Sequence, residues 1–131
     1  MKDNEITQLV IKSAIEVHNH LGPGLLESSY QECLYYELRQ YDFQVSKEIG
    51  LPLIYKGVKL DCGYRIDLLI ENQVIVEIKS VEALNEIHLA QVITYLKLSG
   101  CKVGLLLNFN VHRMKSGIRR VVNNCQDHFH N

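Results

Sequence analysis

With 131 residues the chain can bury one hydrophobic core and is too short for two, and its 47% hydrophobic, 22% charged composition is that of an ordinary globular protein. A formal net charge of −1 excludes a bulk polycation. No apolar run is long enough to span a membrane, internal repeats are absent, and residues 1–5 lack the basic start and apolar stretch of a secretory signal, so a cytoplasmic protein is expected.

Ile6, Leu9, Val10, Ala14 and Val17 recur at the spacing of an amphipathic helix, which predicts a helix over residues 5–21. Gly22-Pro23-Gly24 breaks the chain. A second helix is expected over residues 25–40, with Leu26, Tyr30, Cys33, Leu34 and Leu38 inward. Residues 43–51, 53–60, 64–70 and 74–79 read as strands, with turn chemistry at Lys56-Gly57, Asp61-Cys62-Gly63 and Glu71-Asn72-Gln73. Asn85 suits the N-cap of a third helix reaching Ser99, and Gly100 suits its stop. Residues 103–108 have the nearly all-apolar pattern of a strand covered on both faces, and residues 118–122 read as a strand or a short helix. This order defines an α/β layered domain with a mixed sheet.

Cys33, Cys62, Cys101 and Cys125 are widely spaced and form no CxxC pair, so reduced thiols are expected rather than a zinc or iron–sulfur site. Charge is unevenly spread. Residues 1–86 carry 14 acidic and 8 basic side chains, whereas residues 87–126 carry Lys97, Lys102, Arg113, Lys115, Arg119 and Arg120 and no acid. The asymmetry fits a nucleic-acid-facing surface or an ordinary solvated face.

The most informative stretch is Val74-Ile75-Val76-Glu77-Ile78-Lys79. Its first three residues are apolar on both faces, which marks a central, covered strand, and on it Glu77 and Lys79 share one side, roughly 7 Å apart. If the loop before it is Glu71-Asn72-Gln73, antiparallel pairing sets Ile70 opposite Val74 and Asp67 opposite Glu77, with Cβ atoms about 4.5–5.5 Å apart. Two carboxylates so close repel, and a divalent cation relieves the repulsion. Mg²⁺ or Mn²⁺ held by Asp67 and Glu77 could polarise a phosphodiester, with Lys79 stabilising developing charge or orienting water. The alternative is a buried Asp–Lys–Glu ion network without metal.

On the third helix His88, Gln91 and Tyr95 share a face that can turn back toward this site, for stacking or phosphate positioning; polar edging of an amphipathic helix is the alternative. Glu27 lies in the first turn of the second helix, where a carboxylate is favoured by the helix dipole. His18 follows Ile11, Ala14 and Ile15 on an apolar flank, the setting of a satisfied core histidine.

These residues resemble the GxxExxY proteins, a branch of the PD-(D/E)XK nuclease superfamily. The eponymous motif reads Gly24-Leu25-Leu26-Glu27-Ser28-Ser29-Tyr30, and further matches are Tyr55-Lys56-Gly57, Gly63-Tyr64-Arg65-Ile66-Asp67, Glu77-Ile78-Lys79-Ser80 and Leu105-Leu106-Leu107-Asn108-Phe109. The similarity covers about residues 6–122 of a chain read as one domain over residues 1–131. It implies a restriction-endonuclease-like fold, a central mixed β-sheet flanked by helices. By resemblance Asp67 is the first acidic ligand and Glu77 and Lys79 form the ExK pair, with Ile66-Asp67 standing where the superfamily has PD. Gln91 and Tyr95 look like the QxxxY motif of RecB-like nucleases, while Glu27 and His18 match positions that can supply further metal contacts. The implied function is Mg²⁺- or Mn²⁺-dependent hydrolysis of nucleic acid, DNA in preference to RNA, with Arg113, Lys115, Arg119 and Arg120 as candidate phosphate contacts. The alternative is a non-catalytic nucleic-acid- or protein-binding module on the same fold, for which a homodimer is the natural assembly.

Overall fold

The computed structural model describes residues 1–123. Helices α1 (Asp3–Leu21) and α2 (Glu27–Leu38) precede a hairpin of β1 (Val45–Tyr55) and β2 (Val58–Ile70). Then come β3 (Val74–Lys79), α3 (Glu86–Ser99), β4 (Val103–Asn108), a 3-10 turn (Met114–Gly117) and β5 (Ile118–Val122). The strands form one sheet in the order β1-β2-β3-β4-β5. Only β3 and β4 run parallel, and parallel neighbours need a crossover, which α3 supplies.

The crossover explains why β3 and β4 are the apolar strands: helices cover both their faces. On one face Val74, Val76, Ile78, Leu105 and Leu107 join Ile6, Val10 and Ala14 of α1 and Tyr30 and Leu34 of α2. On the other, Ile75 and Leu106 meet Val92, Tyr95 and Leu96 of α3. Each large side chain so buried contributes about 1.5–3 kcal/mol. At Gly104 of β4 a Cβ atom would lie 2.9 Å from Cγ1 of Val92, so α3 sits directly on the strand. Asn85 caps α3 by accepting the N–H groups of Ile87 and His88, and Gly100 ends it in the left-handed conformation, as the sequence predicts.

Three expectations are corrected. Leu26 does not point inward: it is the N-cap residue of α2 and 73% exposed, because the helix begins two residues later than predicted. Residues 53–60 are not a strand of their own. The chain reverses inside them at Lys56 and Gly57, whose positive φ angles suit a two-residue hairpin, and Tyr55 pairs with Val58. Asp61-Cys62-Gly63 is consequently no turn between strands but an irregularity within β2, opposite Pro52, where the β1–β2 register shifts. The segment 118–122, left as strand or helix by its sequence, is β5, paired antiparallel with β4.

Cys33, Cys62 and Cys101 are free thiols, and Cys125 lies outside the described residues.

Candidate metal and catalytic site

The loop Glu71-Asn72-Gln73 sets the predicted register, joining Ile70 to Val74 and Leu68 to Val76. The β2–β3 ladder stops there, one step before Asp67 and Glu77. At that step Oδ2 of Asp67 accepts the N–H of Ile78 at 2.8 Å, so a side chain replaces the next rung. On the other side of β2, Glu48 of β1 has φ 54° and the ladder skips the Glu48–Asp67 step. The strand changes faces at this kink. Ile66 packs into the α3 core, whereas Leu68, two residues on, packs into the α1/α2 core, although residues two apart in a regular strand share a face. Asp67 is the hinge of that reversal.

Glu77 is only 3% exposed. Burial first, and then contact with the Asp67 carboxyl, push its own carboxyl up to about 9, partly offset by the positive charge of Lys79. Lys79 is half-buried at the end of β3. Ion pairs among the described residues join Glu16 to His20 and Glu32 to Lys47, so Lys79 pairs directly with neither carboxyl. The two acids therefore face each other without a bound cationic side chain between them.

On α3, Nε2 of Gln91 donates to the Tyr95 hydroxyl at 3.2 Å. Tyr95 is buried, and burial together with the charges of Glu77 and Asp67 raises its phenol pKa, which places it within their field. His88 is drawn elsewhere: its Nδ1 accepts the N–H of Asn85 at 3.1 Å, in the helix cap. Of the three residues on that face, Tyr95 stands in the field of the acids and Gln91 is bonded to it.

The motif around Glu27 builds a joint. The Tyr30 hydroxyl donates to the Gly22 carbonyl at 2.6 Å and accepts the N–H of Leu25 at 3.2 Å, closing the loop before α2. The Leu25 carbonyl accepts the Ser80 hydroxyl at 2.7 Å, and Oε2 of Glu27 accepts the Ser80 N–H at 3.4 Å. The start of α2 is thus fastened to the residue after Lys79. His18 is buried, and its Nε2 donates to the Val111 carbonyl at 2.7 Å. Among the described residues no three of His, Cys, Asp and Glu stand together as a group that could hold a metal ion.

Asn108 ties down the chain just after Lys79, a contact that sequence reasoning missed. Buried at the end of β4 beside Lys79, it accepts the Val81 N–H at 3.1 Å and donates to the Val81 carbonyl at 3.0 Å. The signal was a lone amide closing an apolar strand. The basic residues are less concentrated than their spacing implied. Arg120 faces α1 and donates to Oδ1 of Asn4 at 2.8 Å, and Arg113 and Lys115 are exposed around the 3-10 turn. Arg119 shares a row with Leu106 and Glu77, two strands and roughly 10 Å from the acid.

A sequence profile described as the PD-(D/E)XK nuclease superfamily matches residues 4–121, and the chain belongs to that superfamily. The crystal structure of SSO0001 is similar in fold, with a TM-score of 0.51 and 20% sequence identity over 90% of this chain and 78% of that one. At that identity the likeness concerns the fold. No curated protein matches the chain. No helix among the described residues is long and apolar enough to cross a membrane.

Proposed function

We propose that this chain is a divalent-metal-dependent nuclease that hydrolyses phosphodiester bonds, with Asp67 and Glu77 holding Mg²⁺ or Mn²⁺. The observation that carries the reading is a buried Glu77 carboxyl facing that of Asp67 with no cationic side chain paired to either. A buried carboxyl can carry its charge only at a cost of several kcal/mol unless a cation pairs it, and here no cationic side chain does, so Glu77 stays protonated against Asp67 until a cation is supplied. The donor set suits the ion: Mg²⁺ binds through one or two carboxylates and leaves its other positions to water and substrate phosphate. When bound, such an ion supplies Lewis-acid polarisation of the phosphodiester and acidifies water.

The chain's own residues supply the rest. Lys79, on the Glu77 side of β3 and free of an ion pair, stabilises charge developing on the phosphate or orients the attacking water. Gln91 and Tyr95 position substrate from α3, and Arg119 is the best placed of the four basic candidates for a phosphate contact. Glu27 acts through Ser80 to hold the end of β3, and the Gly24–Glu27–Tyr30 pattern supports assignment to the GxxExxY branch.

The test is cleavage of labelled DNA and RNA with Mn²⁺, Mg²⁺ or chelator, by wild type and Asp67→Asn. Metal-dependent cleavage lost in the variant is the expected result. Nucleic-acid binding without cleavage, and with no metal uptake, would replace this reading with the non-catalytic module.

A further inference from the structure

Between the distal half of the β1–β2 hairpin and α3 lies a groove of about 260 Å³, walled by Leu53, Tyr64, Ile87, Ala90, Thr94 and Tyr95 among others. No described residue lining it is charged. It adjoins the acids: its wall includes Tyr64, three residues before Asp67 on β2, and Tyr95, which shares a core cluster with Ile66 of β2 and Ile75 of β3. Tyr64 meets Tyr95 in an edge contact, ring centroids 6.2 Å apart, and remains 41% exposed. Opposite, Ile87 in the first turn of α3 is 75% exposed.

The same surface continues outward. Leu53 pairs with Leu60 and Tyr55 with Val58, and cross-strand partners share a face, so the half-buried Leu53 and the exposed Tyr55, Val58 and Leu60 form an apolar strip toward the hairpin tip. A duplex presents its phosphates outward and keeps its bases stacked inside, so an uncharged aromatic groove gives it nothing to bind. Unpaired bases have free π faces that stack on aromatic side chains regardless of sequence.

We infer that this groove selects single-stranded nucleic acid, seating a base next to the scissile phosphate against Tyr64, with the hairpin strip guiding the neighbouring nucleotides. This rests on the nuclease reading and specifies its substrate class.

Binding is measured by fluorescence anisotropy in chelator, where no cleavage intervenes, with single-stranded DNA, single-stranded RNA and a blunt DNA duplex of equal length. The single strands are expected to bind about ten-fold more tightly than the duplex, the scale of one stacked base. The two single-stranded arms decide between DNA and RNA. Tyr64→Ala should lose about ten-fold for the single strand and Tyr64→Phe should retain it, since the ring and not the hydroxyl does the stacking. Ile87→Ala, at an exposed position that cannot unfold the protein, should show a smaller loss in the same direction. Equal duplex affinity, or unchanged binding in Tyr64→Ala while Mn²⁺-dependent cleavage persists, overturns the inference and leaves the nuclease standing. If no nucleic acid is bound or cut in any form, the nuclease reading fails with it. A dimer in sedimentation that Val58→Glu dissolves, with strand binding unchanged, would make the strip a contact between copies and also overturn the proposal.

Discussion

The carboxyl groups of Asp67 and Glu77 meet across the β2–β3 pair, yet their surroundings differ sharply. Asp67 is partly exposed and takes the N–H of Ile78, whereas Glu77 is almost wholly buried and its carboxyl is pushed up to about 9. The metal-free folded protein therefore holds a proton on Glu77 at neutral pH that the unfolded chain, with an ordinary value of 4.5, has released. A folded state that binds the extra proton loses stability as pH rises through that window. Stability should fall between pH 4.5 and about 9, by at most about 1.4 kcal/mol per pH unit, and level off above. Urea denaturation of the metal-free protein across this range checks the slope, and Glu77→Gln should flatten it. Parallel slopes in both proteins would place the proton elsewhere.

Metal binding should reverse that protonation. A carboxylate ligand must be ionised, so Mn²⁺ uptake near pH 7 should release about one proton, and apparent affinity should climb about ten-fold per pH unit up to about 9. Calorimetry in two buffers of different ionisation enthalpy counts the proton directly. Asp67→Asn should abolish the binding heat, and equal binding in that variant would dismiss the site.

Lys79→Ala separates chemistry from assembly. The lysine is half-buried and forms no ion pair, so its loss leaves no orphaned partner and should spare the fold. The Mn²⁺-induced rise in melting temperature should remain while cleavage falls about 10²–10³-fold, the scale of one lost transition-state donor. Retained cleavage would show that the activity belongs to another protein in the preparation.

The sequence disclosed the meeting of Asp67 and Glu77 better than the frame around it. The three-residue loop was enough to bring Asp67 to Glu77, because a fixed loop length fixes register, although the ladder itself ends one step earlier at Leu68 and Val76. The capped helix α3 was legible for the same local reason. The hairpin was misread because Asp61-Cys62-Gly63 carries turn chemistry but forms an irregularity, and only the partner strand decides between the two. The face change at Asp67 was invisible, since it depends on the left-handed Glu48 across the ladder and no composition rule demands it. His18 has the buried, hydrogen-bonded setting that its apolar flank suggested, whereas the partners of His88 and Asn108 were hidden, since each is a backbone group that the fold brings close.

The last prediction concerns the clamp on the residues after Lys79. Ser80 is held by Leu25, just before α2, and by Glu27 in its first turn, and Val81 is held from β4 by Asn108. The two sides are unequal. Asn108 is buried and makes two bonds to Val81 and a third to the N–H of Asn110, so Asn108→Ala strands backbone groups inside the protein. That should cost about 2–3 kcal/mol. Glu27 is exposed and its bond to Ser80 is long, so Glu27→Gln, which keeps an acceptor, should change stability little. If both residues act only by positioning Lys79, each variant should lower the cleavage rate, Asn108→Ala more, while Mn²⁺ affinity stays at the wild-type value. The decisive comparison is the Mn²⁺-induced shift in melting temperature for the wild type and both variants. An undiminished shift in Glu27→Gln keeps that carboxylate in the joint, whereas a smaller shift would bring it into the metal site.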